Sequence, residues 1–478
     1  MIDIYYPVSP KVIGFILLSF GLGLLFVFIH LSVFASLSVF FALIILLYVK
    51  LRWWAFILVG LIPFMGVKYP CLYLTTTGFD QSDAIPFLLL ISFIPLLSLL
   101  IYRSVSNSRD AVKSPLTFPI LLLVGYSSLT FLWSPANVDH NLLYFCTLMA
   151  NISLFFFLFH IIDNQVFHRR LMWCLILSGI ILSIQTFISM FISIQYPHIE
   201  LCDWLCLVIF ATARRTTGGG TGFFQAQQET GMVLAVVTLI AIGLLLTEKE
   251  KSKIWFLRFT IMLSTVSTFL AKSKSGIWAL VMMTFFSLFM YRKLRKSLIR
   301  NSIVFLLLIV VIFCVSMQFA RSRSSTKTSR AITVSLEEGT SLGKRLEYWR
   351  TGFEELRKRL LIPFGLGVGG YKHVTQYVHA HNLYLALFFD FGFIGIIFVC
   401  CVIFAIAKSF FTLAGHQETY LQVMSVACSV ALIGLGLIGM VYIPYYMSFF
   451  WFVLALTSST FSLAQKEVLM KNTSLNIS

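Results

Sequence analysis

The chain has 478 residues, 59% hydrophobic and only 12% charged, with a mean hydropathy of +0.90 and a formal net charge of +17. Soluble domains carry about a quarter of their residues as charges, so this much apolar surface cannot be hidden in one aqueous core. The composition predicts an integral membrane protein.

Taken in chain order, apolar runs of membrane-crossing length lie near 12–29, 32–49, 53–69, 86–102, 117–133, 144–162, 171–195, 230–246, 254–271, 276–291, 301–319, 383–407, 420–440 and 443–464. Some are short enough to be re-entrant or merged, so the expected fold is an all-α polytopic bundle of about 12–14 transmembrane helices. The first run lacks a small-residue cleavage site and is followed at once by a second, which reads as an uncleaved span. With the N-terminus inside, the inner segments hold more than half of the 36 basic residues, as expected of short cytoplasmic loops. Five stand in short outer loops: Lys68, Arg214, Arg215, Lys272 and Lys274. The remainder lie in the long segment 320–380, where the charge rule does not apply. The net charge is therefore a topology signal, and no nucleic-acid partner is expected.

With no internal repeat, residues 1–478 read as a single polytopic membrane domain carrying one extracytoplasmic loop, 320–380. That loop opens on "RSRSSTKTSR", a solvated stretch that also suits anionic head groups or substrates. In the following "SLGKRLEYWRTGFEELRKRLLIP", Leu342, Leu346, Trp349, Phe353, Leu356 and Leu360 repeat on one helix face. The spacing predicts an amphipathic helix on the outer membrane surface, with Glu354–Lys358 and Glu355–Arg359 as i,i+4 pairs and Pro363 as its stop. "PFGLGVGGY", residues 363–371, follows no strand and so reads as a flexible or backbone-exposing connector rather than a nucleotide loop.

The nine cysteines fall mostly inside spans, where Cys behaves as a small hydrophobe. His198, Cys202 and Cys206 recur every four residues in an outer loop, but three such ligands without a fourth favour a surface-lying helix over a metal site. No metal and no cofactor are expected.

The outer cations are either tolerated by snorkelling or gathered on an anion. Arg214 and Arg215 precede "TTGGGTGFFQAQQE", and Lys272 and Lys274 flank Ser273 in "AKSKSG". Ser, Thr and Gly beside each pair favour the anion, because such turns also expose backbone N–H groups to phosphate oxygens. Arg345, one turn before Trp349, borders the apolar stripe and suits bidentate phosphate binding, or else covers apolar surface as an exposed charge.

The most titratable cluster opens a late span: "VHAHNLYLALFFDFGFIG", residues 378–395, with His379, His381 and Asn382. The positive end of a helix dipole disfavours imidazolium, so a histidine there stays neutral, as a general base must. The alternative is capping by Asn382 beside solvated histidines.

This block resembles the signature of the O-antigen ligase and polysaccharide polymerase superfamily of bacterial membrane glycosyltransferases. The matching residues are His381, Asn382, Asp390, Gly392 and Gly395. Upstream, "RLEYWRTGFEELRKRLLIPFGLGVGGY" resembles the family's Arg-x-x-x-Trp helix and glycine connector. "SKSG" at 273–276 resembles its Ser-Arg-Gly turn, with Lys274 in place of Arg. "GFFQAQQETGMVLA" resembles its Gly-x-Phe segment, with Gln-rich sequence in place of Pro-Asn. The resemblance implies metal-independent, inverting transfer of a glycan from a polyprenyl-diphosphate donor to an acceptor hydroxyl at the outer leaflet. It assigns His381 as the base, with His379 second. Diphosphate leaves readily and needs only charge stabilisation, which Arg214, Arg215, Lys274 and Arg345 supply, with Asn382 beside them.

The expected activity is a polymerase that joins lipid-linked repeat units into a cell-surface polysaccharide. No acceptor-docking domain beyond the outer loop is recognisable in the sequence. The alternative is a ligase that moves finished glycan to a lipid core, wall polymer or protein. A polytopic transporter or flippase is a second alternative, although Asp390 is nearly its only candidate ionisable group within a span. The expected setting is the bacterial cytoplasmic membrane with the site facing outside. Expected partners are the donor, a glycan or lipid acceptor, and other polysaccharide-assembly proteins.

Overall fold

The computed structural model describes residues 51–60, 114, 116–195, 227–271, 273–290, 341–375, 380–413, 419–440 and 448–475. Among them the secondary structure is entirely helical. The helices are α1 (Leu51–Gly60), α2 (Thr117–Leu129, continued by a 3-10 turn over Thr130–Leu132), α3 (Val138–Ile161), α4 (Gln165–Gln195), α5 (Gln227–Thr247), α6 (Lys251–Leu270), α7 (Lys274–Met290), α8 (Ser341–Lys358), α9 (Gly370–Thr375), α10 (Leu383–Leu413), α11 (Tyr420–Ile438) and α12 (Ser448–Leu475). Six of the helices among the described residues are long and apolar enough to cross a membrane. The protein is an all-α polytopic membrane protein. The expected spans 12–29, 32–49, 86–102 and 301–319 lie outside the described residues.

Two central helices hold the bundle. Helix α5 packs against α4, α6, α7 and α11, and α11 in turn against α7, α10 and α12. Lipid tails are as apolar as leucine, so helices in a membrane associate through close packing rather than through the hydrophobic effect. The crossings of α5 follow that rule. A Cβ on Gly231 would meet the Cα of Gly276 at 3.0 Å and one on Gly243 the Cβ of Ala427 at 2.9 Å, while a Cβ on Gly179 of α4 would run into Val237. Two buried hydroxyls bond across helix pairs: Thr238 and Ser264 join α5 to α6 at 2.8 Å, and Thr457 of α12 reaches the Cys428 carbonyl of α11 at 3.2 Å.

The polar contacts sort the helix ends as the charge bias does. Segments assigned to the inner side meet at one end of the bundle. There Arg169 pairs with Glu248 at 2.8 Å. His168 lies between the Tyr420 and Thr460 hydroxyls, at 3.0 and 2.7 Å. Thr419, which caps α11, donates to Glu467 at 3.1 Å. Segments assigned to the outer side meet at the other end, where α8 and α9 lie over α10.

Candidate active site

The amphipathic helix forms where it was expected, packed on the bundle. It ends at Lys358, five residues before Pro363, in a Schellman cap: Leu361 N–H reaches the Leu356 carbonyl at 2.9 Å and Leu360 N–H the Arg357 carbonyl at 3.2 Å, with Leu360 at φ +57°. This is the left-handed geometry that closes a helix C-terminus, usually with glycine. Leu360 thus leaves the stripe and is 83% exposed. Leu346 and Phe353 are also exposed, at 42% and 45%. The face that meets the protein keeps Trp349 and Leu356 of the stripe and one edge of Phe353, whose ring centroid lies 5.1 Å from that of Phe389, and adds Arg345, Tyr348 and Gly352 beside them. Gly352 sets the approach: a Cβ there would meet Tyr371 at 2.8 Å and Phe389 at 2.9 Å. The ion pairs differ in part as well. Glu355 takes Arg359 as expected, at 3.5 Å, but also Lys358 at 2.8 Å, while Glu354 pairs backwards with Arg350 at 2.8 Å.

The glycine connector is neither flexible nor free. Gly365, Gly367 and Gly369 take φ values of +78°, +86° and +72°, and residues 365–370 are all buried. The connector inserts into a break in α10 at Gly392, whose φ is +57° and ψ −136°. Leu366 N–H donates to the Phe389 carbonyl at 2.7 Å, Gly367 N–H to the Asp390 carbonyl at 2.9 Å, and Phe393 N–H to the Pro363 carbonyl at 3.0 Å. Its own carbonyls are met from α2 and α3: Tyr126 Oη on Phe364 at 2.7 Å, Trp133 Nε1 on Gly365 at 3.1 Å and His140 Nε2 on Gly369 at 3.1 Å. Where a membrane helix is broken, its freed backbone groups must be satisfied inside the protein, and the connector does this. Gly392 and Gly395 are thereby explained as packing positions; a Cβ on either would strike the Pro363 or the Leu387 carbonyl.

This scaffold fixes the start of α10. Asn382 is its N-cap: the side-chain oxygen accepts from Tyr384 N–H at 3.0 Å and Leu385 N–H at 3.1 Å, and the side-chain amide donates to the Met440 carbonyl at 3.2 Å. Leu383 N–H bonds to Gly439. These first N–H groups are therefore occupied, and the helix terminus is not itself an anion cradle. Asn382 acts as the cap.

His381, just before the cap, is half-buried at φ +50°. Ala380 before it is buried, and its carbonyl accepts Trp349 Nε1–H at 2.7 Å. The Tyr348 ring stacks on His381 with centroids 6.2 Å apart and planes 28° apart. Burial, and then the positive charge of Arg345, hold the imidazole pKa below its ordinary 6.5. The neutral state expected from the helix dipole has these two causes.

Arg345, His381 and Asn382 are thus brought to one place. Arg214, Arg215 and His379 lie outside the described residues, as do His198, Cys202 and Cys206, and of Lys274 only the backbone, opening α7, is described. Beside it, Ser273 is buried and caps α7 through Gly276 N–H at 2.9 Å. Gly276 packs on Gly231. The serine and glycine of that turn are spent on capping and packing, not on an exposed nest. Sequence reasoning missed Tyr348, Tyr371 and Gly352; for Tyr348 and Gly352 the signal was the i, i+3, i+4, i+7 spacing of Arg345, Tyr348, Trp349 and Gly352, and Tyr371, in α9, had none.

Helix and site together define a polytopic membrane protein with a histidine–arginine cluster over a broken helix at one end of its bundle. Residues 259–400, which include that cluster, match the family model described as O-antigen ligase, and this bears out the resemblance to the O-antigen ligase and polysaccharide polymerase superfamily. No curated protein matches the chain.

Proposed function

We propose that the protein is a membrane glycosyltransferase that polymerises polyprenyl-diphosphate-linked oligosaccharide repeats at the outer leaflet of the bacterial cytoplasmic membrane. His381 deprotonates the acceptor hydroxyl, which attacks the anomeric carbon of the donor with inversion, while the diphosphate departs. Arg345 neutralises the departing charge, together with Arg214, Arg215 and Lys274 from the other outer turns. His379 is the second choice of base. One observation carries the reading: a half-buried histidine with a lowered pKa sits beside a guanidinium at the polar mouth of an apolar helix. A base must be neutral to accept a proton, and a diphosphate leaving group needs a fixed cation.

The same machinery serves a ligase, which differs only in its acceptor. Size analysis of lipid-linked and cell-attached glycan in a strain carrying His381→Asn at matched expression separates the two. Single repeats held on the carrier are the expected result. Full-length chains held on the carrier would make the protein a ligase. Unchanged glycan, in a host that depends on this protein for it, would remove His381 as the base and favour a transporter.

A further inference from the structure

Among the described residues, Tyr348 has a ring paired with that of His381 and no role in the chemistry above. Its ring lies against the imidazole, and its backbone is tied on both sides. The Tyr348 carbonyl accepts from the Tyr371 hydroxyl at 2.9 Å, and buried Tyr371 is itself stacked on Phe389 at 5.0 Å with planes 7° apart. The next residue, Trp349, is bonded to the carbonyl immediately before His381. One turn of α8 is therefore locked between the α9–α10 aromatic stack and the His381 segment, with the tyrosine ring as its contact to the base.

An imidazole turns about two side-chain bonds, and a general base works only within hydrogen-bond reach of the proton it takes. We propose that Tyr348 is a positioning residue for His381: its ring fixes the plane of the imidazole and excludes water from one of its faces, so that a nitrogen stays directed at the acceptor hydroxyl. The proposal rests on reading His381 as the base. Among the described residues, the charged or titratable groups facing His381 are Arg345 and Tyr348 of α8 and Tyr384 of α10, whose hydroxyl is bonded to the Gly436 carbonyl at 2.8 Å. Helix α9 adds Tyr371, engaged on Tyr348. The facing end of α11 offers Gly436, Gly439 and Met440, none of them titratable.

The test uses full-length protein in detergent, with Tyr348→Phe and Tyr348→Leu compared. The His381 imidazole is titrated by NMR after histidine labelling, its signal assigned by loss in His381→Asn. Transfer is assayed with donor glycolipid extracted from the host. Tyr348→Phe keeps the stack and should match the wild type in both measurements. Tyr348→Leu admits water, so the titration midpoint should rise toward 6.5, with kcat about tenfold lower and KM within about twofold. If the leucine variant does not fold, Tyr348→Met replaces it. An unmoved midpoint or an unchanged kcat in the leucine or methionine variant, or a phenylalanine variant as impaired as leucine, overturns the proposal. Transfer retained in His381→Asn overturns the base and with it the part of Tyr348 in the reaction. Transfer lost in His381→Asn with an unmoved midpoint in Tyr348→Leu overturns Tyr348 alone.

Discussion

His381 occupies a backbone region that a non-glycine residue enters only at a cost of about 1–3 kcal/mol. It stays there because both neighbours are held, Ala380 by Trp349 and Asn382 by α10 and α11. Asparagine tolerates left-handed backbone nearly as well as histidine does. His381→Asn should therefore melt within a few degrees of wild type while transfer is lost, a pairing that thermal denaturation and a transfer assay read together. In the proposed mechanism neutral imidazole is the reactive form, so activity should rise with pH through a midpoint below 6.5 and level off by neutrality. Arg345→Met removes one cause of the lowered pKa. Its acid limb should shift to higher pH, and KM for the donor should rise because the phosphate loses a guanidinium. A pH–rate profile distinguishes the two effects. The position of His381 and the cap by Asn382 were legible because short polar residues before an apolar run are a helix-start signal. The left-handed φ was not legible, since it is imposed by contacts with Gly439, Met440 and Trp349 that are distant in sequence.

At the scale of elements, α8 shows where sequence patterning stops being informative. An apolar stripe on a soluble helix marks its core face. Beside a bilayer, apolar residues are equally at home against lipid, and here Leu346 and Phe353 lie at the exposed edge while Gly352 and Leu356 turn inward. The periodicity fixed the helix but not which residues beside the stripe pack inward. For the connector the sequence left two readings, flexible or backbone-exposing, because whether a glycine serves freedom or close approach depends on its partners. Gly392→Ala tests the second role. It combines a positive φ with a Cβ driven onto the Pro363 carbonyl, and should cost at least about 2 kcal/mol, seen as a lower melting temperature and reduced yield. Gly125, whose added Cβ would meet nothing within 4 Å, is the control: Gly125→Ala should be neutral or slightly stabilising.

For the whole molecule, the alternation of basic loops and the contacts at the helix ends tell one story, because each helix reverses the chain and the ends must sort into two sets. Sidedness follows as a prediction. In a cysteine-free background, Cys at exposed Lys344 should react with a membrane-impermeant maleimide on intact cells, and Cys at exposed Lys249 only after permeabilisation. The reverse pattern would place the site on the cytoplasmic side and end the proposed function. The membrane class was readable from composition, with one charged residue in eight, and the all-α class from apolar runs long enough to cross as helices. The joining of Arg345 to His381 was expected from the family resemblance and from the place of Arg345 beside the apolar stripe; the close approach at Gly352 that accompanies it was not.

The interrupted helix also bears on how the protein is made. A ribosome releases residues 363–367 before residues 389–393, so the strand that answers the exposed carbonyls of α10 is synthesised ahead of the helix that needs it. When α10 enters the bilayer as two halves, its partner is already part of the nascent chain. The break need never face lipid unaccompanied, and chain order itself protects biogenesis at the interruption of α10 near His381.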